Sequence, residues 1–109
     1  MSVATRTRYF QRFDLNDTNN QVVVALGDAE NVTISAEKQS TWATAVLTVY
    51  RSLDGFNAYA LESGVTITGP GSTAKIDCTG FDYLIIRLTT NEGSAVYANI
   101  TVKMRPKTA

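Results

Sequence analysis

Histidine is absent from this chain, and that omission decides much of what its side chains could do. Without an imidazole there is no common general base, no common transition-metal ligand, and no Ser-His or Cys-His nucleophile pair. Carboxylates are what remain. Two acids across a cleft can hydrolyse a glycosidic bond, and Asp14 with Asp17, or Asp28 with Glu30, could offer oxygen ligands to calcium. Neither spacing matches a calcium loop, and the acids are scattered over segments that read as loops. The glycines, at 27, 55, 64, 69, 71, 80 and 93, fall near turn signals and form no G-x-x-x-x-G-K-[ST] phosphate loop. Solvated loop charge and turn geometry account for all of these residues. The expectation is a protein that is not an enzyme and that needs no metal or cofactor.

The charges carry a different message through their order. Formal net charge is zero, yet Arg6, Arg8 and Arg12 precede every acid and Lys103, Arg105 and Lys107 follow every acid. The segment from Asp14 to Glu92 holds all ten acids against Lys38, Arg51, Lys75 and Arg87, a net of −6. An acidic body with two basic ends can dock on an acidic neighbour or on an acidic face of an identical subunit, because complementary potentials orient association; the alternative is two solvated tails. Direct nucleic-acid contact is not expected, since these cations lack the interleaved aromatics of a base-stacking surface.

The elements that must position these residues are strands. ATAVLTVYRS from Ala43, DYLIIRL from Asp82 and VYANITVKM from Val96 alternate apolar and polar side chains, the period of a half-buried antiparallel strand. In the last of these Val96, Ala98, Ile100, Val102 and Met104 face a core, and Tyr97, Asn99, Thr101, Lys103 and Arg105 face outward. In the middle one Leu84, Ile86 and Leu88 face inward, which sets Ile85 and Arg87 outward with Tyr83. An apolar residue at such a position calls for cover, either a second layer of the chain or a subunit contact, and a subunit contact that also takes in Tyr50 and Tyr97 is the expected cover.

Further strands are expected at Arg8–Leu15, Gln21–Leu26, Asn31–Ser35, Ala58–Leu61, Val65–Thr68 and Thr73–Cys78, with a helical turn allowed only over Ala36–Thr41. Asn91-Glu92-Gly93 reads as the turn of a hairpin joining the last two strands. Turn signals every 8 to 12 residues or so mark a sandwich or barrel. Residues 1–7 read as a flexible basic arm, 8–105 as one β-sandwich domain and 106–109 as a short tail. Cys78, in phase with Ala74 and Ile76, reads as a small buried apolar residue. The chain lacks both a signal-peptide apolar run and a stretch of roughly twenty apolar residues that could cross a membrane, so a soluble protein made in the cytoplasm is expected.

Two segments, LTVYRSLDGFNAYAL (Leu47–Leu61) and IDCTGFDYLIIRLTTNEGSAVYANITVKM (Ile76–Met104), resemble the small β-sandwich structural proteins of tailed bacteriophages. The likeness lies in a long strand, a Ser-x-Asp-Gly turn carrying an aromatic, a D-x-T-G-[FY]-x-Y-[LI] approach to an Arg-bearing strand, and a closing Ala/Thr-rich strand. It implies an all-β, antiparallel, jelly-roll-like sandwich of about eight strands. It further implies a capsid decoration (cement) protein on the virion surface, a homotrimer whose partner besides itself is the major capsid protein. The same style occurs in carbohydrate-binding sandwiches, which usually carry Trp where this chain has Phe56. A glycan-binding or adhesion module, with Trp42, Tyr50, Phe56, Tyr59 and Tyr97 as candidate stacking rings, is therefore the alternative, together with a tail, adaptor or baseplate component.

Overall fold

The computed structural model describes residues 5–18, 20–37, 43–69 and 71–106. Eight strands form, and no helix is present among the described residues: β1 (Arg6–Asp14), β2 (Gln21–Ala25), β3 (Ala29–Glu37), β4 (Val46–Ser52), β5 (Tyr59–Ile67), β6 (Thr73–Asp77), β7 (Tyr83–Thr90) and β8 (Tyr97–Pro106). They build two four-stranded antiparallel sheets, sheet A in the order β1-β8-β3-β6 and sheet B in the order β2-β7-β4-β5. Only β4 and β5 are sequence neighbours within one sheet. Every other connection crosses between sheets, so the chain is a long hairpin, β1 to β4 against β5 to β8, rolled into a sandwich. That is the jelly-roll plan.

Alternation explains which faces meet. Leu84, Ile86 and Leu88 from sheet B oppose Ile100, Val102 and Met104 from sheet A, all at most 2% exposed. Burying one such side chain contributes roughly 1.5–3 kcal/mol, and these residues supply the core that positions both outer faces. Cys78 lies in that core; burial pushes its thiol up to about 11. In β1 one extra residue between Phe10 and Phe13 makes a bulge against Ile100 and Ala98. Arg12 occupies it at φ +55°, a region a side chain rarely enters, and the bulge resets the phase so that Phe13 points inward.

Several sequence expectations need correction. β1 begins at Arg6, inside the stretch read as an arm. The pieces Ala58–Leu61 and Val65–Thr68 belong to one strand, β5, whose register shifts where Val49 pairs with Val65 and Tyr50 with Ala60. Ala36 and Glu37 extend β3; the rest of the allowed helical turn, with Trp42, lies outside the described residues.

The hairpin at Asn91-Glu92-Gly93 does not form, because β7 and β8 belong to different sheets. The residues 91–96 can reach roughly 20 Å, ample for a gap of about 10 Å between packed sheets. Glu92 fixes the crossing: its carboxylate accepts hydrogen bonds from the backbone N–H groups of Ala43, Thr44 and Ala45 at 2.7–3.1 Å, and its own N–H donates to Leu15 O at 2.8 Å.

Candidate interaction surface

The β1–β8 pairing sets the two basic ends side by side: Arg6 pairs with Met104, Thr7 with Lys103 and Arg8 with Val102. The side chains of Arg6 and Arg8 do not share a face with those of Lys103 and Arg105. Arg6 and Arg8 have the phase of the core residues Met104 and Val102, and only the edge position of β1 lets them reach solvent. Arg6 turns along that edge, where its guanidinium donates to Leu26 O and lies 3.4 Å from Asp28. It packs so near Gly27, at φ +60°, that a Cβ there would meet a guanidinium nitrogen at 3.1 Å. Arg6 therefore closes the sandwich edge.

Arg8 sits over the Phe10 ring, 5.3 Å from its centroid, and Arg12 over the Tyr97 ring at 4.5 Å. The Arg12 N–H donates to Asn99 Oδ1 at 3.0 Å, which anchors the bulge. Lys103 and Arg105 stand on the outer face of sheet A, exposed. Lys107 lies outside the described residues.

Tyr50, Ile85 and Arg87 occupy the outer face of sheet B, on the opposite side of the molecule from Lys103 and Arg105. The expected interface thus divides into two surfaces. Ile85 also fails as an exposed residue: its exposure is 0%. It lies outside the core cluster but is covered within the chain, flanked across the sheet by Val23 and Tyr50. Beside it Arg87 lays its guanidinium 5.2 Å from the Tyr50 centroid and donates from Nε to Gln21 Oε1 at 2.8 Å. A long arginine stem lying along a sheet shields apolar surface, and alternation alone cannot register that lateral cover.

Open apolar side chains lie elsewhere: Tyr9 on β1 is 69% exposed, and around the β4–β5 connection Leu53 is 50% exposed, Phe56 84% and Tyr59, at the start of β5, 41%. The backbone beneath Phe56 is held firmly. Asp54 Oδ1 accepts the N–H groups of Phe56 and Asn57, both at 2.8 Å, and its Oδ2 accepts Asn57 Nδ2 at 2.6 Å. Buried Ser52 donates from Oγ to Asp54 and accepts the Gly55 N–H at 3.0 Å. These donors pull the Asp54 carboxyl down to about 2, the backbone N–H groups contributing most. Gly55 adopts φ +80° and lies against the Tyr83 ring, where a Cβ would sit 3.4 Å from it. The Ser52-Leu53-Asp54-Gly55 sequence carries the turn signal; that it presents an unpacked aromatic follows only from the structure.

Behind this turn Arg51 points into the end of the sandwich, its guanidinium 4.7 Å from the Phe81 centroid, and Phe81 packs at 6.5 Å against Tyr59. The Nε of Arg51 is enclosed with no hydrogen-bond partner among the described residues. Among the described residues no group of three or more His, Cys, Asp or Glu side chains could hold a metal ion, and no helix is long and apolar enough to cross a membrane.

No protein-family model and no curated protein sequence matches the chain. Solved structures do match in shape. YomS, a protein derived from the SPBc2 prophage, superposes with a TM-score of 0.69 at 10% identity, over 95% of this chain and 96% of that one. A low-affinity xylan-binding module, CBM86, from Roseburia intestinalis superposes at 0.51 with 17% identity, over 94% and 96% of the two chains. The coat protein of Tobacco streak virus covers 97% of this chain and 88% of its own at a TM-score of 0.42 and 8% identity, too distant to support an argument. The chain shares its fold, nearly end to end, with a prophage-derived protein and with a carbohydrate-binding module.

Proposed function

We propose that this chain is a structural protein of a bacteriophage particle, and specifically a decoration protein that seats on the capsid and braces neighbouring subunits, working by burial of surface and not by catalysis. The observation that carries this reading is Phe56, presented almost fully exposed on a turn whose backbone is locked by Asp54 and Ser52. An aromatic held ready at low entropic cost is how interface anchors are built. The near end-to-end likeness to YomS supports the phage assignment. Burying one such ring contributes about 1.5–3 kcal/mol, and a homotrimer would apply three of them at once, which multiplies attachment strength. The protein would then reside on the virion surface.

Phe56→Ser tests the anchor. The melting temperature should hold within a degree or two, because the ring is almost fully exposed, while binding to capsids that lack the protein should weaken by roughly tenfold or more. Unchanged capsid binding by a folded Phe56→Ser protein refutes the anchor.

A glycan-binding module is the second reading, favoured by the shared fold with the xylan-binding module. Against it, Tyr50 and Tyr97 each carry a guanidinium over the ring, leaving those faces closed to a sugar. A glycan array probed with the free protein should be blank for a decoration protein; strong signal on a glycan class would favour the module.

A further inference from the structure

The outer face of sheet A carries a feature that the Phe56 surface does not use. Beside β3 runs a groove of ≈ 320 Å³ lined by Asn31, Thr33, Lys75, Asp77 and Arg105. The registers place these residues in two rows across three strands. In one row Lys103, Thr33 and Lys75 lie side by side; in the next Arg105, Asn31 and Asp77 do. Neighbouring strands are about 4.8 Å apart, so Lys103, which lies beside the groove and not in its lining, stands about 9.6 Å across β3 from Lys75, and the rows are separated by two residues, about 6.7 Å. Lys75, Lys103 and Arg105 are all exposed, and none forms an ion pair among the described residues. Asp77 Oδ1 accepts the N–H and hydroxyl of Thr79, at 3.0 and 2.7 Å, which leaves Oδ2 outside those bonds. The groove therefore offers cations on both walls, an amide and a hydroxyl on its floor, and one carboxylate oxygen as an acceptor.

We propose that this groove binds an extended acidic polypeptide segment of a partner, with carboxylates on alternate residues. An extended chain places every second side chain on one side at the spacing that separates the two rows. One carboxylate would meet Lys75 and Lys103 and the next Arg105, while Asp77 Oδ2 accepts a backbone N–H from the segment. No aromatic ring lines the groove, so a neutral sugar would find no stacking platform there. The inference extends the assembly reading by giving the shell, or the next subunit, a second point of attachment with its own chemistry.

Anisotropy of a labelled peptide alternating glutamate and threonine, titrated with the full chain at low salt, provides the test. Binding is expected to weaken as salt rises and to fall roughly tenfold in a Lys75→Gln/Arg105→Gln double variant, while Lys75→Arg retains it. Thermal melting confirms that each variant is folded. A peptide of the same composition with its glutamates in one block should bind several-fold more weakly. Equal binding of the block peptide, undiminished binding by the double variant, or tighter binding of polygalacturonate than of the peptide would overturn the proposal, the last in favour of an acidic glycan. Failure here is separable from failure of the decoration reading: Phe56→Ser leaves this peptide's binding intact, and the peptide assay contains no capsid.

Discussion

Replacing Ile85 by alanine separates a side chain covered by its own fold from one waiting for a partner. The substitution removes three carbons from a side chain with 0% exposure, a transfer loss of about 2.4 kcal/mol at ~0.8 kcal/mol per carbon. A cavity term is added, but it is small, because Val23 is 38% exposed and free to lean into the space. About 2.5–3 kcal/mol is therefore expected, the lower part of the range for such truncations. With an unfolding entropy near 2.1 cal/mol/K per residue, the 109 residues give ~0.23 kcal/mol/K, and the melting temperature should fall by roughly 11–13 °C. An exposed isoleucine in a strand would lose only β-propensity, at most ~1 kcal/mol, or about 4 °C. Calorimetry of dilute Ile85→Ala, with Val23→Ala as the partly exposed control, distinguishes the two. A fall of less than about 4 °C refutes the lateral cover by Tyr50 and Arg87.

Three other expectations follow from the same geometry. The enclosed Nε of Arg51 costs about 1–3 kcal/mol, against about 0.5–1 kcal/mol for the guanidinium over Phe81, so Arg51→Met should leave the melting temperature unchanged or raise it by a few degrees in a thermal scan. Asp54 and Glu92 both titrate below their ordinary values of 3.8 and 4.5, held there chiefly by backbone N–H donors. Their stabilisation is complete above roughly pH 5 and is lost as pH falls through the native values; Glu92→Gln should flatten part of the decline in melting temperature as pH falls below about 5. Cys78, with its thiol pushed up to about 11, should resist Ellman's reagent at mildly alkaline pH in the native protein and react fully once denaturant is added.

The strands were legible because alternation is a local property: Ala98, Ile100, Val102 and Met104 are buried as their spacing requires, and Val96 is half-buried. Pairing was not, because it depends on distant partners. Asn91-Glu92-Gly93 has the composition of a hairpin turn, but Glu92 is held by N–H groups at Ala43–Ala45, almost fifty residues away, and nothing near residue 92 announces that. The candidate interface suffered in the same way. Arg6 is a free cation in a list of charges and a brace once Leu26 and Gly27 are beside it. Phe56 stands in the sequence as a substitute for Trp and as one candidate stacking ring among five, since the sequence marks the turn but does not say on which side the ring emerges.

The place of β8 in sheet A has a kinetic consequence. Of the eight described strands it is made after the other seven, and it lies between β1 and β3, so until it leaves the ribosome β1 lacks its sheet neighbour and β3 keeps one edge open. Sheet B is already supplied through β7. Closure then joins Arg8 to Val102, a contact across nearly the whole chain, and such non-local pairing belongs to folds that form in milliseconds to seconds and not in microseconds. Until that closure the nascent chain exposes unpaired edges that invite aggregation. Synthesis rate and the length of anything fused after β8 should therefore govern the soluble yield of this protein more strongly than changes near its first strand.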